Sequence, residues 1–321
     1  MSEIYKENKN NVENWIFVTG VPRSGTTFVG NIISSNITTD YIHEPFLSGI
    51  DVSTDGRFNY VRPTEYKNKK EYNKKVEKIK SYDFKLESGI NEDDSWYVNT
   101  FKKIFGGRGP IYLLLAKMNI LRKLSVIKDP TASLLSEFLY YNFDFTPVIV
   151  VRHPVSLVAS LKRMGWHPNL GVLRGNEKLI EDHFSEEKEF LEKEWGTVEL
   201  DGAAHWRAVN KVLLEQYDRH QEDWILVRHE DICRQPVSEF KKIYDDLGLS
   251  WGRSVTKRIQ KLTRGQSAEP NPSRAQDLKR DSAEIFKTRR DSIPTETRRE
   301  IFEITSDVAL RLYPRESFAL K

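Results

Sequence analysis

The sequence predicts an α/β fold in which a central parallel sheet lies between two layers of helices. Short apolar runs recur along the chain, and a segment with helical spacing follows each of them. The first run covers residues 15–20 and ends in glycine. Residues 24–35 then place apolar side chains at the spacing of one helix face (Phe28, Val29, Ile32 and Ile33). Strands that alternate with helices in this way build parallel sheets that are covered on both faces.

Each predicted strand is apolar on successive residues, as expected for strands that are buried on both faces. After the first unit, the same pairing of strand and helix recurs along the chain. The later pairs are residues 124–129 with a helix from about 131 to 141, residues 147–152 with a helix from about 155 to 164, and residues 224–229 with a helix from about 237 to 247.

The regions between these units predict the domain organisation. Residues 48–109 are rich in Lys, Asn and Tyr without a clear period, which indicates an insertion over one face of the sheet. Residues 176–196 predict one long charged helix. We expect a single domain over residues 1–321, in which an insertion at about 48–120 forms the substrate region and about 263–290 a basic C-terminal loop.

Charge and residue usage exclude several classes of partner. The chain has 50 Lys and Arg residues against 47 Asp and Glu residues, so its net charge of +3 does not predict a nucleic-acid partner. Cys233 is the only cysteine, which excludes an intrachain disulfide and a cysteine-based zinc site. The 7 His residues show no metal-ligand spacing, so no metal is expected. Trp166 and Trp206 are expected to be packing residues.

Apolar segments of the chain are short. The polar residues 1–8 lead into no signal core, and runs such as 111–115 and 147–151 are far below the roughly 20 residues that span a bilayer. The sequence therefore predicts a cytoplasmic protein without a membrane partner.

The segment between the first strand and its helix carries the chemistry. Residues 20–27 (GVPRSGTT) have the spacing of a phosphate-binding P-loop, Gly, four residues, Gly, but Thr26 stands where the P-loop has lysine. Backbone amides at the start of the helix still favour an anion, and Arg23 supplies a cation within the loop. No apolar strand ends in an evident Mg²⁺-binding aspartate, because the strand at 147–151 is followed by Arg152. These departures weigh against a P-loop kinase or hydrolase, which is the alternative together with a non-catalytic nucleotide-binding module.

At this point the sequence resembles a known family. Residues 21–27 (VPRSGTT) resemble the 5′-phosphosulfate loop of sulfotransferases that use 3′-phosphoadenosine 5′-phosphosulfate (PAPS). Residues 152–154 (RHP), with Ser160 eight residues after Arg152, resemble the second signature of that family. Residues 128–130 (KDP) and 40–46 (DYIHEPF) resemble segments of its tyrosyl-protein and carbohydrate branches. The resemblance implies a three-layer P-loop-type fold and sulfuryl transfer from PAPS.

The same resemblance, joined to the chemistry of the residues, predicts a site. The loop is expected to bind the 5′ side of PAPS, through Arg23, Ser24, Gly25, Thr26 and Thr27. Arg152 and Ser160, two helical turns apart, can converge on the 3′-phosphate. Lys128 and Arg23 are expected to stabilise charge on the leaving oxygen without a metal.

The acceptor hydroxyl requires a base, and the sequence offers two candidates. Glu44 has the resemblance to the family, whereas His43 has the better ordinary pKa. Because side chains alternate along an extended chain, only one of the two is expected to face the site. The expected acceptor is a small molecule with a hydroxyl group, such as a natural product or a sugar, since no segment for export to a secretory compartment is evident.

Overall fold

Five parallel strands form one sheet in the described part of the chain, which comprises residues 12–47, 59–86, 108–168, 170–263 and 291–320 of this computed structural model. The strands are β1 (Asn14–Thr19), β2 (Thr39–His43), β3 (Leu124–Lys128), β4 (Phe145–Val151) and β5 (Ile225–Arg228). Their order across the sheet is β2-β3-β1-β4-β5. The predicted α/β class and parallel sheet are confirmed.

Helices connect the strands and cover the sheet. In chain order, the α-helices of the described residues are α1 (Thr26–Ile33), α2 (Lys70–Lys80), α3 (Arg108–Met118), α4 (Ser136–Phe143), α5 (Pro154–Met164), α6 (Gly171–Arg174), α7 (Glu177–His183), α8 (Lys188–Glu192), α9 (Val198–Arg219), α10 (His229–Arg234), α11 (Pro236–Asp246), α12 (Arg253–Thr263) and α13 (Thr295–Ala309). Short 3₁₀ helices cover Pro63–Asn68, Ser133–Leu135 and Arg315–Phe318.

The strand register aligns the carboxyl ends of neighbouring strands at one end of the sheet. Val18 of β1 pairs with both Lys128 of β3 and Val148 of β4. His43, the last residue of β2, also pairs with Lys128. Open parallel sheets bind their ligands at the carboxyl ends of the strands. The register alone therefore allows residues at the ends of β1, β2 and β3 to contribute to one site.

Alternate residues of the strands enter different cores. On one face, Phe17 and Ile127 pack with apolar residues of α2 and α4, and farther along the sheet β4 packs against α5 and α9. On the other face, Val18 and Val126 pack with α1, α11 and α12. Helices therefore cover both faces, which gives the three layers expected from strands that are apolar throughout.

One predicted helix is wrong. Instead of a single helix over residues 176–196, the chain forms α7 and α8 with a turn between them. Leu179 and Phe184 are both fully buried, yet residues five apart on a helix point about 140° away from each other. A break at Phe184, where φ is −136°, lets both side chains reach the same core.

Several helices were not anticipated from the sequence. They include α2 and α3, which lie in the region without a clear period, and α9, which has 22 residues. Thr197 caps α9 by accepting a hydrogen bond from Leu200 N, a signal that the sequence contains. The predicted basic loop at 263–290 lies outside the described residues, apart from Thr263. None of the helices in the described ranges combines the length and apolar character that a bilayer crossing requires.

Candidate functional site

A tight glycine loop (residues 20–27) joins β1 to α1. Gly20 has φ of 146°, and a Cβ at this position would lie 2.2 Å from the carbonyl oxygen of Val150. Gly25 has φ of 104°, and a Cβ there would lie 2.3 Å from Cδ2 of His229. Both positions therefore require glycine, because the loop is pressed between β4 and α10.

The glycine loop presents an open helix N-terminus. Within the described residues no N-cap side chain accepts a hydrogen bond from α1, and the helix begins at Thr26 directly after Gly25, whose carbonyl oxygen accepts from Phe28 N at 3.0 Å. Ser24 is 1% exposed, and its Oγ has no hydrogen-bond partner in the described ranges. A buried hydroxyl without a partner beside a helix N-terminus can be satisfied by an anionic ligand.

Arg23 connects the glycine loop to the second predicted binding element. Its backbone has φ of 78°, its Nε donates to Ser160 Oγ at 3.3 Å, and its carbonyl oxygen accepts from Arg152 Nη1 at 3.0 Å. Its guanidinium carbon lies 5.3 Å from the ring centroid of Trp166. Arg23 thus meets Arg152 and Ser160, which lie more than 100 positions later in the sequence.

Arg152 is buried behind the glycine loop. It is 4% exposed, its Nε has no partner in the described part of the chain, and its carbonyl oxygen accepts from Trp206 Nε1 at 2.7 Å. Trp206 is a packing residue, as expected, whereas Trp166 is 45% exposed and covers Arg23 instead.

Guanidinium groups crowd this part of the site. Burial lowers the pKa of Arg152, and burial together with the positive charges of Arg152 and Arg163 lowers the pKa of Arg23 to about 10. The negative charge of Glu230 opposes the lowering of the Arg152 pKa, and burial raises the pKa of Glu230. Cations held together in a buried setting favour an anionic ligand, which relieves their repulsion.

Two residues of α5, the helix that carries Ser160, were not singled out from the sequence. Ser156 is 1% exposed, and its Oγ has no partner within the described residues. It lies four residues from both Arg152 and Ser160, so helical spacing could have indicated it. Arg163 could also have been found, since it follows Ser160 by three residues on α5.

A second group of side chains lies at the ends of β2 and β3. Lys128 is 1% exposed, and its Nζ bonds to Glu44 Oε1. The backbone N–H of Glu44 donates to the carbonyl oxygen of Lys128 at 2.8 Å. The structure therefore joins the predicted base Glu44 to the predicted cation Lys128 through both main chain and side chain.

The expectation that only one of His43 and Glu44 faces the site is wrong. Glu44 has φ of 48°, a left-handed conformation that ends the alternation of the strand. His43 Nε2 consequently lies 3.8 Å from Glu44 Oε1, and the two side chains are 16% and 23% exposed. Both candidate bases therefore lie side by side and partly buried.

Asp129 fixes the turn that carries Glu44. Its carboxylate accepts from Phe46 N at 2.8 Å, Thr131 N at 2.9 Å and Thr131 Oγ1 at 2.6 Å. Burial and the negative charge of Glu44 raise the pKa of Asp129 to about 6. The carbonyl oxygen of Asp129 also accepts from Thr19 Oγ1 at 2.7 Å, at the end of β1 just before the glycine loop. This contact ties the two halves of the site together.

Each of the two groups of side chains contains a buried cation, Arg152 beside the glycine loop and Lys128 at the end of β3. Within the described ranges, no group of three or more His, Cys, Asp or Glu side chains is arranged to hold a metal ion. The arrangement offers buried donors for anionic groups and, beside them, one carboxylate held against a lysine.

The chain is similar to a family of known proteins in sequence and to several solved structures in fold. A model of the sulfotransferase family matches residues 15–253, a range that contains every side chain described above from Arg23 to Glu230. No curated protein matches the chain significantly.

Among solved structures, the sulfotransferase domain from the curacin biosynthetic pathway is 16% identical, with a TM-score of 0.49, over 94% of this chain and 99% of that one. The sulfotransferase domain of the Synechococcus PCC 7002 olefin synthase is 15% identical, with a TM-score of 0.45, over 94% and 96%. Mouse sulfotransferase SULT7A1 complexed with PAP is 12% identical, with a TM-score of 0.41, over 99% and 92%.

Proposed function

The chain belongs to the sulfotransferase family, and we propose that it transfers the sulfuryl group of PAPS to a hydroxyl group of a small-molecule acceptor. One observation carries this proposal. The glycine loop, Arg152 and Ser160, whose buried donors suit an anionic ligand, lie at the same carboxyl end of the sheet as the Glu44–Lys128 pair.

The donor set of the anion site fits PAPS, which has a phosphosulfate at its 5′ position and a phosphate at its 3′ position. We assign the 5′ side to the glycine loop (Arg23, Ser24, Gly25, Thr26 and Thr27). We assign the 3′-phosphate to Arg152 and Ser160. The unpartnered Oγ of Ser24, Nε of Arg152 and Oγ of Ser156 support this assignment, since each needs an acceptor or donor that the described residues do not supply.

Catalysis requires a base for the acceptor and a cation for the leaving group. Glu44 takes the proton of the acceptor hydroxyl while the acceptor oxygen forms its bond to sulfur. Lys128 and Arg23 stabilise the electron pair left on the phosphate oxygen as the bond from sulfur to that oxygen breaks. No metal ion is required in this scheme, because arginine and lysine supply the positive charge.

The Glu44–Lys128 pair also has a consequence for the base. A carboxylate that is bonded to an ammonium group is a weaker base than a free one. When Lys128 turns toward the leaving oxygen, Glu44 loses this partner and becomes a better acceptor for the proton. Glu44 therefore becomes a stronger base only when PAPS, the sulfuryl donor, is bound.

The acceptor in this proposal is a small natural product or sugar that is used in the cytoplasm. The partial burial of Glu44 and His43, which are 23% and 16% exposed, supports a small acceptor, because the acceptor must bring its hydroxyl group to a mostly covered carboxylate.

The alternative, a P-loop kinase or hydrolase, is not favoured. Such an enzyme places lysine where this glycine loop has Thr26, and it binds Mg²⁺ through an aspartate at a strand end. Here β4 is followed by Arg152, and the carboxylate of Asp129, which follows β3, accepts hydrogen bonds from Phe46 N and Thr131. A non-catalytic binding module has no use for a carboxylate and a lysine held together beside the anion site.

Thermal unfolding tests the proposed donor. Adenosine 3′,5′-bisphosphate (PAP) in EDTA should raise the melting temperature by a few degrees at about 100 times its Kd, since a ligand that binds only the folded state stabilises it by about 2.7 kcal/mol. Incubation with [³⁵S]PAPS and a set of hydroxylated compounds should then label an acceptor. Stabilisation by ATP with Mg²⁺ but not by PAP in EDTA would refute the proposal.

A further inference from the structure

We propose that Tyr41 is a positioning residue for the base: it orients His43, and His43 in turn holds the carboxylate of Glu44. The inference rests on the proposed function of Glu44 and assigns roles to two residues that act on Glu44 rather than on the acceptor.

Tyr41 and His43 lie on the same side of β2, since residues two apart on a strand share a face. The Oη atom of Tyr41 lies 3.2 Å from Nδ1 of His43, within hydrogen-bond distance. On the opposite side of the imidazole ring, Nε2 lies 3.8 Å from Glu44 Oε1. The imidazole therefore lies between a phenol and the carboxylate.

Packing immobilises the phenol. Tyr41 is 7% exposed, and a Cβ on Gly30 of α1 would lie 2.9 Å from its Cε2 atom. The ring of Tyr112, on α3, stands edge-on to Tyr41 with the centroids 4.8 Å apart. A tyrosine that is confined on two sides can hold its hydroxyl toward His43 at little further cost in entropy.

The tautomer of His43 follows from its two neighbours. With Glu44 ionised, the favourable arrangement places the imidazole proton on Nε2, facing the carboxylate. Nδ1 then carries a lone pair, which accepts the hydroxyl proton of Tyr41. The opposite tautomer would direct a lone pair at a carboxylate. Because 3.8 Å exceeds a hydrogen bond, the effect on Glu44 in this conformation is electrostatic.

The charged and titratable groups around Glu44 determine the direction of a pH effect. Lys128 on β3 and the Nε2–H of His43 favour the ionised carboxylate, whereas the buried carboxyl group of Asp129 disfavours it. Tyr41 acts through His43, and Tyr112 approaches His43 with its ring, 6.2 Å between centroids. Removing the hydroxyl of Tyr41 makes the Nε2–H tautomer of His43 less favoured and so weakens its electrostatic effect on Glu44. Glu44 should then protonate at a higher pH.

Tyr41→Phe, with Tyr112→Phe as the matched control, tests the inference. We expect Tyr41→Phe to lower kcat by about tenfold, the lower end of the effect of losing a residue that orients a functional group. Its Kd for PAP should remain unchanged, and the acidic limb of its kcat profile should move to higher pH. Tyr112→Phe keeps both ring contacts and should leave the limb in place. An unmoved limb in Tyr41→Phe, or an equal shift in both variants, would overturn the inference.

A second measurement does not depend on turnover or on the stability of a variant. The ¹⁵N shifts of His43 in the wild-type protein report its tautomer, and Nε2–H is expected at pH 7.5. A predominant Nδ1–H form would overturn the inference even if sulfuryl transfer is confirmed. Conversely, a failure to transfer from PAPS would refute the proposed function and leave the tautomer measurement intact.

Discussion

The side chains of Glu44 and His43 lie side by side because the backbone leaves the extended conformation after His43. His43 is the last residue of β2, and Glu44 has φ of 48°. Asp129 maintains this conformation through its bond to Phe46 N at 2.8 Å. The sequence could indicate both candidate bases, but a simple rule of alternation could not place them, because a non-glycine residue with positive φ depends on tertiary contacts.

Glu44→Gln separates the base from the binding of nucleotide. The glutamine keeps the size of the side chain and removes the proton acceptor, so the transfer rate should fall by roughly 10²–10⁴-fold. The Kd for PAP, measured by calorimetry, should remain that of the wild type. His43→Gln should cause a smaller loss of rate, since His43 acts on Glu44 in this account. The opposite ranking would assign the base to His43.

Lys128 and Arg152 should differ in the parameter that they control. Lys128→Ala should reduce turnover far more than affinity for PAP, because the lysine acts on charge that develops in the transition state. Arg152→Ala should reduce affinity more than turnover at saturating donor, because it binds a phosphate of the ground state. Steady-state kinetics and calorimetry on both variants measure this difference, and equal effects on both parameters in both variants would show that the roles are misassigned.

Asp129 should make stability depend on pH. Its pKa is raised to about 6 in the folded protein, above the value of about 3.9 in an unfolded chain, so the folded state binds more protons between these values. Its contribution to stability is therefore fully present below about pH 4 and is lost as pH rises through 6. Asp129→Asn does not titrate. The stability of the wild type relative to this variant should decrease by about 1–3 kcal/mol from pH 4 to pH 7.5, as measured by denaturant unfolding. A constant difference would contradict this assignment.

At the scale of elements, the glycine loop depends on its fit between β4 and α10. Gly25→Ala introduces a Cβ 2.3 Å from Cδ2 of His229 at a φ of 104°, so the loop must shift and PAP binding should be lost. Gly248→Ala is the control, because Gly248 has φ of 64° with nothing within 4 Å of its added Cβ. Both variants should lose about 1–2 kcal/mol of stability from the positive φ, but only Gly25→Ala should lose PAP binding in calorimetry. Full binding by Gly25→Ala would exclude the loop from the site.

The elements that the sequence predicts well are those with one dominant signal. Strands β1 and β4 contain continuous apolar runs, at residues 15–18 and 147–151, and α5 begins at a proline and ends before Gly165. The predicted helix over 176–196 failed because the burial of Phe184 overrides the helical pattern of its charged neighbours. Intrinsic propensity is a weak guide wherever a single large side chain must reach the core.

At the scale of the whole molecule, the strand order explains why distant motifs meet. The glycine loop follows β1, which lies between β3 and β4, so the end of β3 brings Lys128 to one side of the loop and the end of β4 brings Arg152 to the other. The rule for ligands of parallel sheets predicts this meeting from the sequence. The bond from Thr19 to Asp129 could not be predicted, because it depends on side-chain packing across strands.

A thermodynamic cycle with two nucleotides tests the central claim most directly. PAP and adenosine 5′-monophosphate differ by the 3′-phosphate alone, and both are titrated in EDTA into the wild type and Arg152→Ala. The account predicts that the wild type binds PAP about 10–100-fold more tightly than the monophosphate, the range expected for a charged hydrogen bond. Arg152→Ala should remove that difference and leave affinity for the monophosphate unchanged. Equal binding of the two nucleotides by the wild type, or an equal loss for both in the variant, would contradict the account.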